Sequence, residues 1–323
     1  MRNCCALFIA LIVIATLAAP VTCTAQLYVA NDNNGRVISY VDTSGTILNP
    51  GEAFGEIKGM AIEEDGSILV AEEFMIKRLD PDTGTITTVD PYGYWIVDVY
   101  PDAETPDIFT ITGDAYSAVN VMLDGAPPAE WAYGFCDWTP VDIQVYPTGE
   151  RAGNVIVLCM RYESASIEEL VRTGPLTFVS LDPVAVGLDS HPAGFAITPD
   201  GVFIYLDRFT GMFEISPGGD ASAFGPAPPG QGGWDHITIG SDGTIYVSDS
   251  VMNKIHRFTP EGDWILPSLQ DYMGWPGALV AAAFTPVHEG SNVTTEPIED
   301  LEVMFEEIAQ GGYSIATPTT TMD

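Results

Sequence analysis

Lysine is nearly absent from this chain: Lys58, Lys77 and Lys254 are the only three, and 11 Lys and Arg stand against 45 Asp and Glu. Nucleic acid is excluded as a partner, because phosphate binding needs clustered cations. An anionic membrane surface is excluded for the same reason. Long apolar runs are also missing after the first 25 residues, so no later stretch is expected to insert into a bilayer. Histidine occurs four times, which leaves little imidazole for metal or acid–base chemistry. Neither a Gly-x-Ser-x-Gly elbow nor a His-Glu-x-x-His pair occurs, so two common hydrolase signatures are excluded. Cysteine is scarce as well. Cys4, Cys5 and Cys23 fall in the leader, and Cys136 and Cys159 remain.

The leader itself reads as an export signal over residues 1–25. Arg2 starts it, Ala6 to Ala19 is apolar, and Cys23-Thr24-Ala25 ends in a small residue where a peptidase could cut before Gln26. The expected destination is secreted, extracellular or periplasmic, and the mature chain is expected to be a monomer. Removing Arg2 leaves 45 acidic and 10 basic residues, a net of −35. Two readings of that acidity stay open. Charge keeps a protein soluble in a salty or acidic setting, and carboxylates can also hold Ca2+. In an oxidising compartment Cys136 and Cys159 can form one disulfide; alternatively Cys159, which follows Val155 to Leu158, is a small buried hydrophobe.

What fills the chain is a repeat. Its clearest copy runs Ile237-Thr238-Ile239 to Asp242-Gly243, then Ile245 to Asp249, then Lys254 to Phe258, then Thr259 to Gly262. A short strand meets an Asp-Gly turn, a β-branched and aromatic strand follows, and a third strand ends in a Pro/Gly turn. The same order recurs from Met60, from Phe195 and, degraded, from Val97 and Ile143. The residue two past each first strand falls at 64, 101, 147, 199 and 241, and the intervals match the ~40–50-residue period of four-stranded propeller blades. The mature chain opens inside a copy, with Leu27 to Asp32 as its second strand, and the missing first strand is found at Ala278 to Phe284. The expectation is an all-β, six-bladed propeller over 26–290, closed by a C-terminal strand that completes the first blade. Five blades with a frayed start is the alternative. A C-terminal extension, 291–323, holds Ile298, Leu301, Met304, Phe305 and Ile308 at helical spacing and then a disordered Thr-rich tail. Asn292-Val293-Thr294 is a glycosylation triplet.

The segments "GSDGTIYVSDSVMNKIHRFTPEG", "EEDGSILVAEEFMIKRLDPDTG" and "LYVANDNNGRVISYVDTSG" resemble the six-bladed propellers built from NHL-type repeats, whose relatives include the SMP-30-like lactonases. The resemblance implies fold more than function, since this propeller hosts binding modules, lactone hydrolases and lyases. The lactonase-like relatives hold calcium through a glutamate opening one inner strand. Here the closing strand begins Trp275-Pro276-Gly277-Ala278, without one.

Propeller ligands sit at the channel mouth, where the first strands begin. The polar residues expected there are Lys58, Asp98, Asp142, His191, Asp235 and His236. Of these, Asp98, Asp142, His191, Asp235 and His236 form a tentative site for Zn2+ or Ca2+. Trp95, Trp234 and Trp275, with Lys58, are the candidate ligand contacts, since Trp95, Trp131, Trp138, Trp234 and Trp275 lie in or near blade connections. Glu72, Asp207 and Asp249 close second strands and read as turn-capping acceptors. The expected function is binding of a protein, peptide or glycan, with a metal-dependent hydrolase or lyase as the alternative. No catalytic residue is assigned.

Overall fold

In the computed structural model the described residues run from 27 to 281, apart from loop stretches at 32–36, 42–46, 91–94, 103–104, 114–117, 124–128, 134, 137–138, 147–148, 161–163, 228–232, 241 and 271–275. The expected signal segment, C-terminal helix and tail, glycosylation triplet, Trp138 and Trp275 lie outside the described residues. Among the described residues the one helical element is a single turn of 3-10 helix, Gly149–Arg151.

The strands form six antiparallel sheets. The first holds β1 (Leu27–Asn31), β2 (Val37–Val41) and β3 (Ile47–Ala53). The second holds β4 (Ile57–Ile62), β5 (Ile68–Glu72), β6 (Met75–Leu79) and β7 (Ile86–Asp90). The third holds β8 (Ile96–Pro101), β9 (Ile108–Thr112), β10 (Ala118–Met122) and β11 (Ala129–Tyr133). The fourth has five strands, β12 (Thr139–Val145), β13 (Val155–Met160), β14 (Ala165–Gly174), β15 (Thr177–Ser180) and β16 (Ala185–Leu188). The fifth holds β17 (Pro192–Ile197), β18 (Phe203–Asp207), β19 (Gly211–Ile215) and β20 (Ala221–Phe224). The sixth holds β21 (Trp234–Ile239), β22 (Ile245–Asp249), β23 (Lys254–Phe258) and β24 (Trp264–Gln270). Five sheets are thus built from consecutive strands. The first is completed only by β25 (Pro276–Ala281), which pairs antiparallel with β1 and ties the two ends of the chain together. Such pairing covers an edge that would otherwise invite aggregation. The inner strands pack side by side in the order β4, β8, β12, β17, β21, β25 and back to β4. This is an all-β propeller.

The pattern of the second strands explains the packing. In β5 all five residues are buried, and they alternate between two seams: Ile68 and Val70 face the first sheet, Leu69 and Ala71 face the third. β18 does the same, with Phe203 and Tyr205 toward the fourth sheet and Ile204 and Leu206 toward the sixth. A strand buried on both faces has no polar side, so it reads as a continuous apolar run. Each buried Ile, Leu or Phe contributes about 1.5–3 kcal/mol relative to exposure. The Asp-Gly turns expected from the repeat are present, with Gly66 at φ 87° and Gly243 at φ 81°, a region glycine enters without a Cβ penalty. Cys136 and Cys159 are disulfide-bonded, with a Cα–Cα distance of 5.5 Å, inside the seam between the third and fourth sheets.

Every inner strand carries a bulge near its start. The register slips between Ile57 and Gly59, Ile96 and Asp98, Pro140 and Asp142, Pro192 and Gly194, and Trp234 and His236. A bulge re-aims the residue that follows it. Gly59, Asp98, Asp142, Gly194 and His236 therefore occupy equivalent places around the ring, while Lys58 and Asp235 are the bulged residues themselves.

Candidate functional site

Two carboxyl groups dominate the ring of inner strands. Asp98 and Asp142 are 5% and 3% exposed. Asp98 Oδ1 accepts from the Val99 N–H at 2.8 Å, and its Oδ2 accepts from Ile143 N–H of the next sheet at 3.2 Å. Asp142 Oδ2 accepts from Phe195 N–H, one sheet further on, at 2.8 Å. The two carboxyls lie close enough for each to act on the other's ionisation. The glycines of the ring make room for them. A Cβ at Gly59 would lie 1.7 Å from Asp98 Oδ1, and one at Gly194 would lie 3.1 Å from Asp142 Oδ2.

Burial decides the protonation of this pair. It pushes Asp98 well above the usual carboxylate range, and the neighbouring Asp142 pushes the same way. Asp142 is raised by burial too, while His236 opposes the shift. His236 is held below its ordinary value by burial, against the pull of Asp142 and Asp235. The Tyr100 phenol, buried beside both acids, is pushed up to about 12. Two adjacent carboxyls that resist ionisation can share a proton. Through its bonds to Ile143 and Phe195 the pair ties the third, fourth and fifth sheets together.

The remaining expected metal ligands go elsewhere. His191 is exposed; its ring packs edge-on against Phe209 at 4.8 Å and its Nδ1 is 3.2 Å from Ser190 Oγ. Asp235 pairs with Arg208 at 2.7 Å and accepts from Ser250 N–H at 3.1 Å. Among the described residues no three His, Cys, Asp or Glu side chains come together as a metal-holding group. The five residues expected as one metal site are thus divided between a buried acid pair with His236 nearby and a surface layer above it. The physical reason is the bulge, which turns His236 inward and leaves Asp235 facing Arg208.

The expected ligand contacts divide as well. Trp95 is 50% exposed and meets Phe74 edge-on at 6.4 Å. Trp234 is the correction: it is fully buried, packed on Phe258 at 5.8 Å and His256 at 5.9 Å, and it serves the core. Lys58 is half-buried and bonded to Glu56.

The acids closing the second strands are buried acceptors. Asp207 takes the N–H groups of His191 at 3.1 Å and of Phe209 and Thr210, both at 2.9 Å. Asp249 Oδ1 takes the Met252 N–H at 2.8 Å, and its Oδ2 meets His256 Nε2 at 3.2 Å. The same imidazole bonds Ser268 Oγ through Nδ1 at 2.8 Å, and Trp264 Nε1 donates to that hydroxyl at 3.4 Å. Glu72 takes Gly55 N–H and Lys77 Nζ, both at 2.7 Å. Asp207 and Asp249 fix the turn between the second and third strands, whereas Glu72 ties the entry to its inner strand to the third strand.

Those turns carry what the sequence reading missed. Two residues past Glu72, Asp207 and Asp249 stand Phe74, Phe209 and Val251, which are 47%, 48% and 71% exposed. Backbone bonds stitch these turns to the connections that enter the inner strands: Ile96 N–H to Glu73 O, Arg208 N–H to His191 O, Gly233 N–H to Arg208 O and Ser250 N–H to Gly233 O. All of them therefore lie at one end of the sheets, the end where the inner strands begin. The equal offset in "EEF", "DRF" and "DSV" was the available signal. A cleft of about 600 Å³ is lined by Glu63, Asp65, Asp102 and Asp107. Four of its acids are already engaged: Glu63 by Arg78, Asp65 by Ser67, and Asp102 and Asp107 by Arg172; Glu64 also lines it.

No protein-family model and no curated protein matches this chain. Solved structures do. A chain of a nidogen/laminin complex superposes with a TM-score of 0.63 at 15% identity, covering 80% of this chain and 98% of that one. A calcium-binding regucalcin from Agrobacterium tumefaciens gives 0.55 at 13% identity, covering 70% and 77%. A virginiamycin B lyase from Staphylococcus aureus gives 0.51 at 18% identity, covering 69% and 73%. Binding proteins and enzymes thus share this architecture, and at these identities the likeness is one of fold. The chain is an all-β propeller, similar in fold to the nidogen/laminin, regucalcin and lyase propellers.

Proposed function

We propose that this chain is a secreted, monomeric, six-bladed NHL-like propeller that binds a protein, peptide or glycan at its channel-mouth face, without catalysis. One observation carries the reading: Phe74, Phe209 and Val251 stand exposed at equivalent turns, and the turns of Phe209 and Val251 are fixed from beneath by the buried carboxylates Asp207 and Asp249. A rigid scaffold with a shaped loop face is how propellers and similar folds recognise partners. The disulfide supports an oxidising destination. The test is an array of peptides and glycans probed with residues 26–323, alongside Trp95→Ala and Phe74→Ser variants of unchanged melting temperature. Ligands bound by the wild type and lost by the variants support the reading. Ligands retained by both variants contradict it.

A second reading rests on Asp98, Asp142 and His236, which the bulges place at equivalent positions around the ring. In a metal-dependent hydrolase or lyase these three would face Zn2+ or Ca2+, which would supply Lewis acidity. Metal content of the purified chain, with melting before and after chelation, tests it. A stoichiometric metal whose removal lowers the melting point would favour this alternative over a purely structural acid pair.

A further inference from the structure

We infer that the patch spanning the fifth and sixth sheets docks a protein segment bearing large apolar side chains flanked by lysine or arginine, a deepening that rests on the channel-mouth reading above. The patch is apolar at its centre. Phe209 and Val251 are 48% and 71% exposed, Met252 is 37% exposed, and the His191 ring packs edge-on against Phe209. Its backbone is unusually fixed for a loop surface. Gly233 links the two sheets by donating to Arg208 O and accepting from Ser250 N–H. Val251 also covers Gly233, where an added Cβ would lie 2.5 Å from its Cγ2. Behind Met252, the bonded chain of Asp249, His256, Ser268 and Trp264 anchors the turn to the outer strand. Little ordering entropy is therefore left to lose on binding, which favours a hot spot here.

Charge selects the partner. Asp189 is exposed and Asp235 half-buried at this patch, against Arg208 and Lys254, while Asp207 and Asp249 lie buried beneath it. The whole chain carries −34, so anionic partners are repelled at long range and cationic ones are steered in. That long-range charge disfavours acidic glycans and nucleic acids, and salt weakens it.

The test uses residues 26–323 and three synthetic peptides of equal length: leucine and phenylalanine alternating with lysine, the same with glutamate for lysine, and serine alternating with lysine. Binding is read by fluorescence anisotropy at low and high salt. The expected result is capture of the lysine–apolar peptide, weakened by salt and reduced about tenfold or more in the charge-neutral Phe209→Ser/Val251→Ser variant. Met252→Ser serves if that double variant fails to fold. Equal capture of the glutamate–apolar peptide, lost in the variant, overturns the charge assignment and leaves the channel-mouth reading standing. Equal capture of the serine–lysine peptide, unchanged in the variant, overturns both. Sedimentation of the wild type as a dimer that the double variant makes monomeric would identify a second copy as the occupant and overturn the assignment.

Discussion

The inner ring and the turn face above it invert the usual placement of chemistry. In the ring, Asp98 and Asp142 are buried and accept from backbone amides. On the face, Phe209 and Val251 stand in solvent. The difference teaches where to look for function. Buried carboxyls whose partners are all internal hold a structure together, and exposed apolar groups on braced turns have their energy still to gain. The disulfide belongs with the first set, since it lies in a seam and closes a loop between residues 23 apart in sequence.

Substitutions can break this contrast, and the largest effects should come from the ring. Gly59→Ala drives a Cβ to 1.7 Å from Asp98 Oδ1, and neither the carboxylate nor the strand can yield cheaply. A loss of about 3 kcal/mol is expected, read as a lowered denaturant midpoint. Cys159→Ser should cost a similar amount, about 3 kcal/mol for a loop of this length, and dithiothreitol should mimic it.

Next comes the pH dependence of the acid pair. Both carboxyls have folded values raised above their unfolded ones. Their contribution to stability is therefore full below the unfolded range near 3.9 and is lost as pH rises through the folded values. Asp98→Asn removes one titration. The gap between variant and wild type, measured by melting across pH, should move in the variant's favour as pH rises. A gap independent of pH would show that the pair carries no shared proton.

The smallest stability effect should come from the face. Phe209→Ser and Val251→Ser should each change stability by no more than about 0.5 kcal/mol while weakening ligand capture. A large loss of stability at either position would mean that the side chain is packed, and the contrast would fail.

The fold was legible because the repeat fixes it redundantly. Asp-Gly turns, doubly buried second strands and a truncated first copy all agree, and the pairing of β1 with β25 follows from that truncation. The site was less legible for two reasons. A tryptophan opening an inner strand reads the same whether it faces solvent or the seam, and Trp234 faces the seam. The bulge then sorts neighbours: aligned sequence put Lys58, Asp235 and His236 with Asp98 and Asp142, whereas register keeps Gly59 and His236 in line with them and leaves Lys58 and Asp235 as the bulged residues. Bulges of this kind have no composition signature. The exposed turns were visible as a recurring apolar residue after an acid, but strand periodicity does not report on turns.

The most direct measurement is amide hydrogen exchange of residues 26–323 with and without the lysine–apolar peptide. Added protection should appear at residues 191–193, 208–210 and 250–253, with none at 98–99 or 142–143. Protection confined to the inner strands around Asp98 and Asp142 would contradict the account and move the site into the ring.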